Sequence, residues 1–165
     1  MQLLVTGGTG FIGRPLCRSL AERGHQLTVL TRHPDAQPRQ SGVTFLPWAL
    51  EEWGRSLGDV DGVINLAGES IVAKRWTARR KQELTDSRVG TTRHLVRAFA
   101  ESPRKPSVFI QASAIGYYGP RSDEELTEAD SAGGGFLAEL CQAWEAEAQR
   151  AEPFGVRVVR LRIGI

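Results

Sequence analysis

Thr6-Gly7-Gly8-Thr9-Gly10-Phe11-Ile12-Gly13 carries the spacing Gly7-x-x-Gly10-x-x-Gly13 directly after the apolar run Leu3-Leu4-Val5. Glycine at the first place permits a sharp turn out of a strand. At the second it lets backbone approach a bulky anion, and at the third it lets a following helix pack closely on the strand. The first N–H groups of that helix carry positive partial charge. The chemistry implied is a cradle for the pyrophosphate of a dinucleotide, built from Thr6, Gly7, Gly10, Phe11, Ile12 and Gly13. The alternative is a glycine-rich turn with no ligand, and a strand before and a helix after are the context that separates the two.

A second chemical position follows the next apolar run, His25-Gln26-Leu27-Thr28-Val29-Leu30. About twenty residues beyond such a glycine turn, an acidic side chain accepts hydrogen bonds from the adenosine ribose of NAD. Here the place is taken by Thr31-Arg32-His33. A guanidinium there pairs with a 2′-phosphate and leaves NAD without its acceptor. The cofactor expected is therefore NADP, with Arg32 on the 2′-phosphate and Thr31 or His33 assisting; the alternative for Arg32 is a solvated loop charge. Trp48 is placed either to stack on adenine or to cover the edge of the core.

These groups need a frame. Ile12, Leu16 and Leu20 share one face of a helix whose Arg14, Arg18 and Arg23 point outward, and Gly24 ends it. Further strands are expected over 43–46, 62–66, 107–111 and 156–161. A helical region over 77–100 turns Leu84, Leu95 and Phe99 inward, and another helix carries Phe136, Leu140, Trp144 and Ala148. Strict alternation of strand and helix implies a doubly wound parallel α/β sheet of the Rossmann type, spanning 1–165 as one domain, with its ligand crevice at the carboxyl ends of the strands. At the fourth strand's end, Asn65, Ala67 and Gly68 are cofactor-binding candidates because small groups let a ribose and pyrophosphate cross the sheet. Glu69 and Ser70 are expected in a solvated loop.

Composition sets the remaining bounds. A chain of 165 residues, 41% hydrophobic, suits one domain with a real core. Its net charge of +2 is too small for a nucleic-acid surface, and the basic cluster Trp76-Thr77-Ala78-Arg79-Arg80-Lys81 suits a solvated helix start or a substrate-side loop. Cys17 and Cys141 fall on apolar helix faces without metal-ligand spacing, which points to buried thiols in a reducing, cytoplasmic compartment. Neither a membrane nor a bound metal is expected. A small-molecule substrate is, and a homodimer is compatible with the composition.

Together with the glycine turn, Asn65-Leu66-Ala67-Gly68-Glu69-Ser70 and Ala112-Ser113-Ala114-Ile115-Gly116-Tyr117-Tyr118-Gly119 resemble the extended short-chain dehydrogenase/reductase superfamily of nucleotide-sugar epimerases and dehydratases. Arg75-Trp76-Thr77, Lys81, Ser87-Arg88-Val89-Gly90-Thr91-Thr92 and Trp144-Glu145 look like its epimerase-like branch of cell-division-inhibitor homologues. The resemblance implies a NADP-binding Rossmann domain, a smaller C-terminal substrate domain that this chain lacks, and hence a truncated chain.

The resemblance also exposes departures. Its active members pair a tyrosine with a lysine in Tyr-x-x-x-Lys, about twenty-five residues after a catalytic Ser or Thr, so that the cation eases loss of the phenol proton. This chain has no tyrosine after Tyr118 and no lysine after Lys105, and Ser87 stands where an asparagine is usual. Ser113 lies five residues before Tyr118, where the family's polar residue lies four before, which puts Ala114 at that place unless the tyrosine pair holds an insertion. Two classes follow. One is a NADP-dependent epimerase-like oxidoreductase with a rebuilt acid/base set, for which Ser113, Tyr117 and Tyr118 are the candidates. The other is a non-catalytic NADP-binding redox sensor or regulatory protein, in which the tyrosines are structural aromatics at the strand end. Glu145 is expected as a charge on the helix surface, and His94 has no catalytic role.

Overall fold

The computed structural model describes residues 1–48 and 57–164. Strands β1 (Gln2–Thr6), β2 (Gln26–Thr31), β3 (Val43–Pro47), β4 (Gly62–Asn65), β5 (Val108–Ala114) and β6 (Arg157–Ile163) form one sheet in the order β3-β2-β1-β4-β5-β6. Every pairing is parallel, with Thr6 level with Leu30 on one side and Asn65 on the other. The chain order reverses between β1 and β4, and a crevice opens at such a switch point because the connections leave to opposite faces.

The strands alternate between two apolar layers, as the period of two requires. Leu4, Val63 and Phe109 face the layer that contains Leu95, Val96 and Phe99. Leu3, Val5, Leu27 and Val29 face the layer of Cys17, Leu16 and Leu20. The helices are α1 (Gly13–Glu22), α2 (Ala78–Thr85), α3 (Thr91–Glu101) and α4 (Phe136–Gln149). The expected helical region over 77–100 is built of three pieces: Thr77 caps α2 by accepting from the Arg80 N–H at 3.2 Å, and a wider π turn, Asp86–Gly90, joins it to α3. Leu84, Leu95 and Phe99 are fully buried as expected. Ile12 is not on the core face of α1: it sits at the N-cap and is 44% exposed, so Cys17 takes the buried place.

Both cysteines are buried and unpaired with each other. Burial holds their thiols protonated, that of Cys17 pushed up to about 11. Among the described residues, no helix is long and apolar enough to cross a membrane, and no cluster of His, Cys, Asp and Glu could hold a metal ion.

Candidate functional site

The turn after β1 is shaped by sterics at each glycine. Gly7 has φ +70°, and a Cβ there would lie 2.5 Å from the Leu66 carbonyl oxygen. A Cβ on Gly13 would lie 2.2 Å from the Gly7 oxygen, and one on Gly8 would lie 2.7 Å from Val29 Cγ1. Gly8, which the three-residue spacing passes over, is therefore crowded too, though by side chains where Gly13 meets backbone. Gly10 differs: the neighbour its Cβ would meet is the Gly7 oxygen at 3.2 Å, and its open side faces a cleft. Arg14 Nε donates to the Thr9 carbonyl at 2.8 Å and steadies the loop.

That cleft, of about 330 Å³, is lined by Gly7, Thr9 and Gly10 from the turn and by Leu30, Thr31 and Arg32 from the end of β2. Trp48 closes it beyond β3, and Leu66, Ala67, Gly68 and Glu69 close it beyond β4. Ser87 and Thr91 complete the wall. The first turn of α1 has no acidic residue and no side-chain cap, so its orphan N–H groups keep their capacity for an anion. Phe11, 98% exposed, and Ile12 stand at that free end, outside the cleft lining. Trp48 lines the cleft while packing on the edge of the core. His33 is exposed and does not line it.

Thr6 and Asn65 are fully buried and brace the floor from beneath. Asn65 Oδ1 accepts from the Thr6 hydroxyl and from the Ala67 N–H, while its Nδ2 donates to Thr92 Oγ1 at 3.0 Å and Gln111 Oε1 at 2.9 Å. Trp144 Nε1 joins at Thr92 Oγ1. These side chains are spent on each other, so the expected direct contact of Asn65 with a cofactor is corrected to a supporting one. Gly68 also has a reason beyond its small size toward a ligand: a Cβ there would lie 3.0 Å from Arg88 Cζ. Arg88 lies beneath, donating to the Glu69 carbonyl at 2.9 Å and facing the Trp144 ring.

Glu69, expected as a solvated loop charge, is ion-paired. Arg32 Nη1 lies 3.5 Å from its Oε1 and Arg80 Nη2 3.7 Å from its Oε2. Arg80 is correspondingly no solvated charge but 5% exposed.

The candidate acid/base residues gather elsewhere, at the ends of β5 and β6. Ser113 Oγ donates to Glu145 Oε1 at 2.6 Å. Arg162 grips the same carboxylate with two bonds, at 2.9 and 3.0 Å, and donates to the Tyr118 hydroxyl at 2.9 Å. Tyr118 in turn donates to the Thr127 carbonyl at 2.8 Å, and the Tyr117 ring lies 3.5 Å from the Arg162 guanidinium carbon. Glu145 is 3% exposed, which overturns its reading as a helix-surface charge. Apolar periodicity cannot register a carboxylate buried against an arginine from another strand. Burial pushes the Glu145 carboxyl up, but the hydrogen bonds from Arg162 and Ser113 and the charges of Arg162 and Arg160 outweigh it and hold the group below the usual carboxylate range. Ser113, Tyr117 and Tyr118 do not line the glycine cleft; Tyr118 and Arg162 border a separate groove along β6.

The model of the NAD dependent epimerase/dehydratase family matches residues 3–164. An epimerase family protein of Staphylococcus haemolyticus is 39% identical over 159 residues, covering 96% of this chain and 52% of its own length. The epimerase family protein YfhF of Bacillus subtilis is 38% identical over 169 residues, covering 100% of this chain and 55% of its own. The chain thus spans about half the length of the curated relatives it matches. Among solved structures, a human epimerase family protein crystallised with NADPH superposes with a TM-score of 0.82 at 32% identity, over 98% of this chain and 53% of the other. A nucleoside-diphosphate sugar epimerase from Corynebacterium glutamicum gives 0.81 at 34% identity, over 100% of this chain and 34% of the other.

Proposed function

The chain belongs to the NAD dependent epimerase/dehydratase family, and from that premise we propose that it is the NADP-binding part of an epimerase-like oxidoreductase of the extended short-chain type, acting on a small-molecule substrate. One observation carries the proposal. Gly10, two residues before the uncapped N-cap of α1, and Arg32 line one cleft at the sheet's switch point, an arrangement suited to a 2′-phosphorylated dinucleotide. The human relative with NADPH supports the choice of NADP.

In this reading the N–H groups of residues 11–13 hold the pyrophosphate, that of Gly10 being bonded to the Gly7 carbonyl, while Arg32 pairs with the 2′-phosphate and Trp48 covers the adenine. Thr6 and Asn65 keep the floor rigid from below. Bound NADP(H) supplies or accepts the hydride. The residues assigned to proton transfer are Ser113, Tyr117 and Tyr118, which lie outside the glycine cleft, with no Tyr-x-x-x-Lys pair. The two buried, unlinked cysteines suit a reducing cytoplasm.

A second reading, a NADP-binding sensor or regulatory protein without turnover, draws support from the Ser113 hydroxyl given to Glu145 and the Tyr118 hydroxyl given to Thr127. The test is hydride transfer from NADPH to a panel of carbonyl substrates by the whole protein and its Ser113→Ala, Tyr117→Phe and Tyr118→Phe variants. The oxidoreductase reading expects one change to remove turnover while NADP affinity persists. Absence of any transfer selects the sensor.

A further inference from the structure

Glu69 sits on the lip of the cleft between two arginines that differ in character. Arg32 reaches it from solvent, with a side chain 76% exposed. Arg80 reaches it from within, with a side chain 6% exposed, Nη1 bound to Glu83 at 2.9 Å and Nη2 to the Ser70 carbonyl at 2.6 Å. The Arg80 Nε is buried with no hydrogen-bond partner. A buried guanidinium nitrogen without an acceptor is uncommon and costly. It marks a donor left unspent on the guanidinium that already faces Glu69 Oε2. One carboxylate thus has an exposed partner that a ligand could take and a buried partner able to accept more of it.

We propose that Glu69 is a specificity-determining residue that competes with the 2′-phosphate of NADP for Arg32. The inference rests on the NADP reading above. A 2′-phosphate monoester carries between one and two negative charges near neutral pH. Seating it on Arg32 requires the Glu69 carboxylate to leave that guanidinium, since two anions on one exposed arginine repel each other. Arg80 keeps the displaced carboxylate paired, so the exchange proceeds without stranding a charge. NAD has no group for Arg32 and leaves the Arg32–Glu69 pair in place. Glu69 therefore weakens NADP selectively and keeps it exchangeable.

An exposed ion pair contributes up to about 1 kcal/mol, which is about fivefold in an equilibrium constant and sets the expected effect. The experiment measures, by calorimetry on the whole protein, the affinities for adenosine 2′,5′-bisphosphate and adenosine 5′-monophosphate. It uses the wild type, Glu69→Gln, Arg32→Ala and the double variant. Glu69→Gln keeps the size of the side chain and removes its charge. The expected result is that Glu69→Gln tightens the bisphosphate about threefold to fivefold, leaves the monophosphate unchanged, and has no effect once Arg32 is alanine. Equal tightening of both nucleotides, no tightening of either, or an effect that survives in the Arg32→Ala background overturns the role of Glu69. Loss of bisphosphate preference in Arg32→Ala together with a silent Glu69→Gln overturns this inference and leaves the NADP reading standing. An Arg32→Ala protein that keeps its preference overturns both.

Discussion

At the carboxyl ends of β1, β2 and β4 the molecule leaves hydrogen-bonding capacity open, in the uncapped first turn of α1 and at Arg32 on the lip of a cleft. At the ends of β5 and β6 the same rim is shut, with Ser113, Glu145, Arg162 and Tyr118 bonded in sequence to one another. In the first region the carboxylate, Glu69, meets Arg32 in solvent, at 3.5 Å and with both side chains exposed. In the second, Glu145 and Arg162 meet at 2.9 Å with little of either side chain left to water. The difference separates recognition from support. A donor without an internal partner has affinity left for a ligand, whereas a buried, satisfied network fixes the geometry around it and is costly to disturb.

Glu145→Ala should have the largest effect on the fold. It leaves the partly buried Arg162 guanidinium without its counter-ion and the Ser113 hydroxyl without its acceptor, a loss of about 1–3 kcal/mol that urea denaturation would register. In the folded fraction the affinity for NADP should stay within about twofold, because the network shares no lining residue with the cleft. A variant as stable as the wild type would erase the contrast between the two regions.

Gly10→Val should do the reverse. The side chain enters the cleft and meets only the Gly7 oxygen, at 3.2 Å, so NADP affinity should fall at least about a hundredfold, about 2.7 kcal/mol, with a smaller loss of thermal midpoint than at Gly13. Gly13→Ala sharpens the point, since its Cβ meets the Gly7 oxygen and should lower the midpoint as well. If Gly10→Val binds normally, the cleft is not the pyrophosphate site.

A smaller change is expected at the cleft's lip. Arg32→Asp should cut the preference for NADP over NAD by at least about tenfold, 1.4 kcal/mol, read from paired titrations. An unaltered ratio would move the 2′-phosphate away from Arg32.

The smallest effect is in acid. The Glu145 carboxyl is held below its ordinary value in the folded state, so its ionised form stabilises the fold above the unfolded pKa, about 4.3. That contribution is lost as pH falls from there through the lower folded value. Glu145→Gln should therefore flatten the stability curve below about pH 4.3 and leave the slope above it alone. An unchanged acid limb would assign acid lability to other carboxylates.

The fold was largely legible in the sequence because its cues are local. The glycine spacing marks the turn after β1, the β-branched and leucine runs mark the strands, and Leu84, Leu95 and Phe99 mark the inner faces of α2 and α3. Where the reading failed, a partner from elsewhere decides. Ile12 falls in register with Leu16 and Leu20, yet it is Gly13 that lies against the Gly7–Gly8 backbone, so Ile12 is left exposed at the N-cap and Cys17 is the buried side chain of that helix. Glu69 and Glu145 look like surface charges because nothing beside them in sequence pairs with them.

The sequence by itself determined the parallel α/β sheet, the glycine turn after β1 and the basic residue at the end of β2, because each needs only a local steric or periodic condition that neighbouring residues satisfy. Tertiary structure alone decided which charges are spent. Ser113 and Glu145 stand 32 residues apart, and Glu145 and Arg162 stand 17 apart. Arg32 lies 37 residues from Glu69. Such pairs form only when the sheet sets strand ends side by side; desolvation then bolts Glu145 to Arg162, whereas Glu69 and Arg32 meet in solvent.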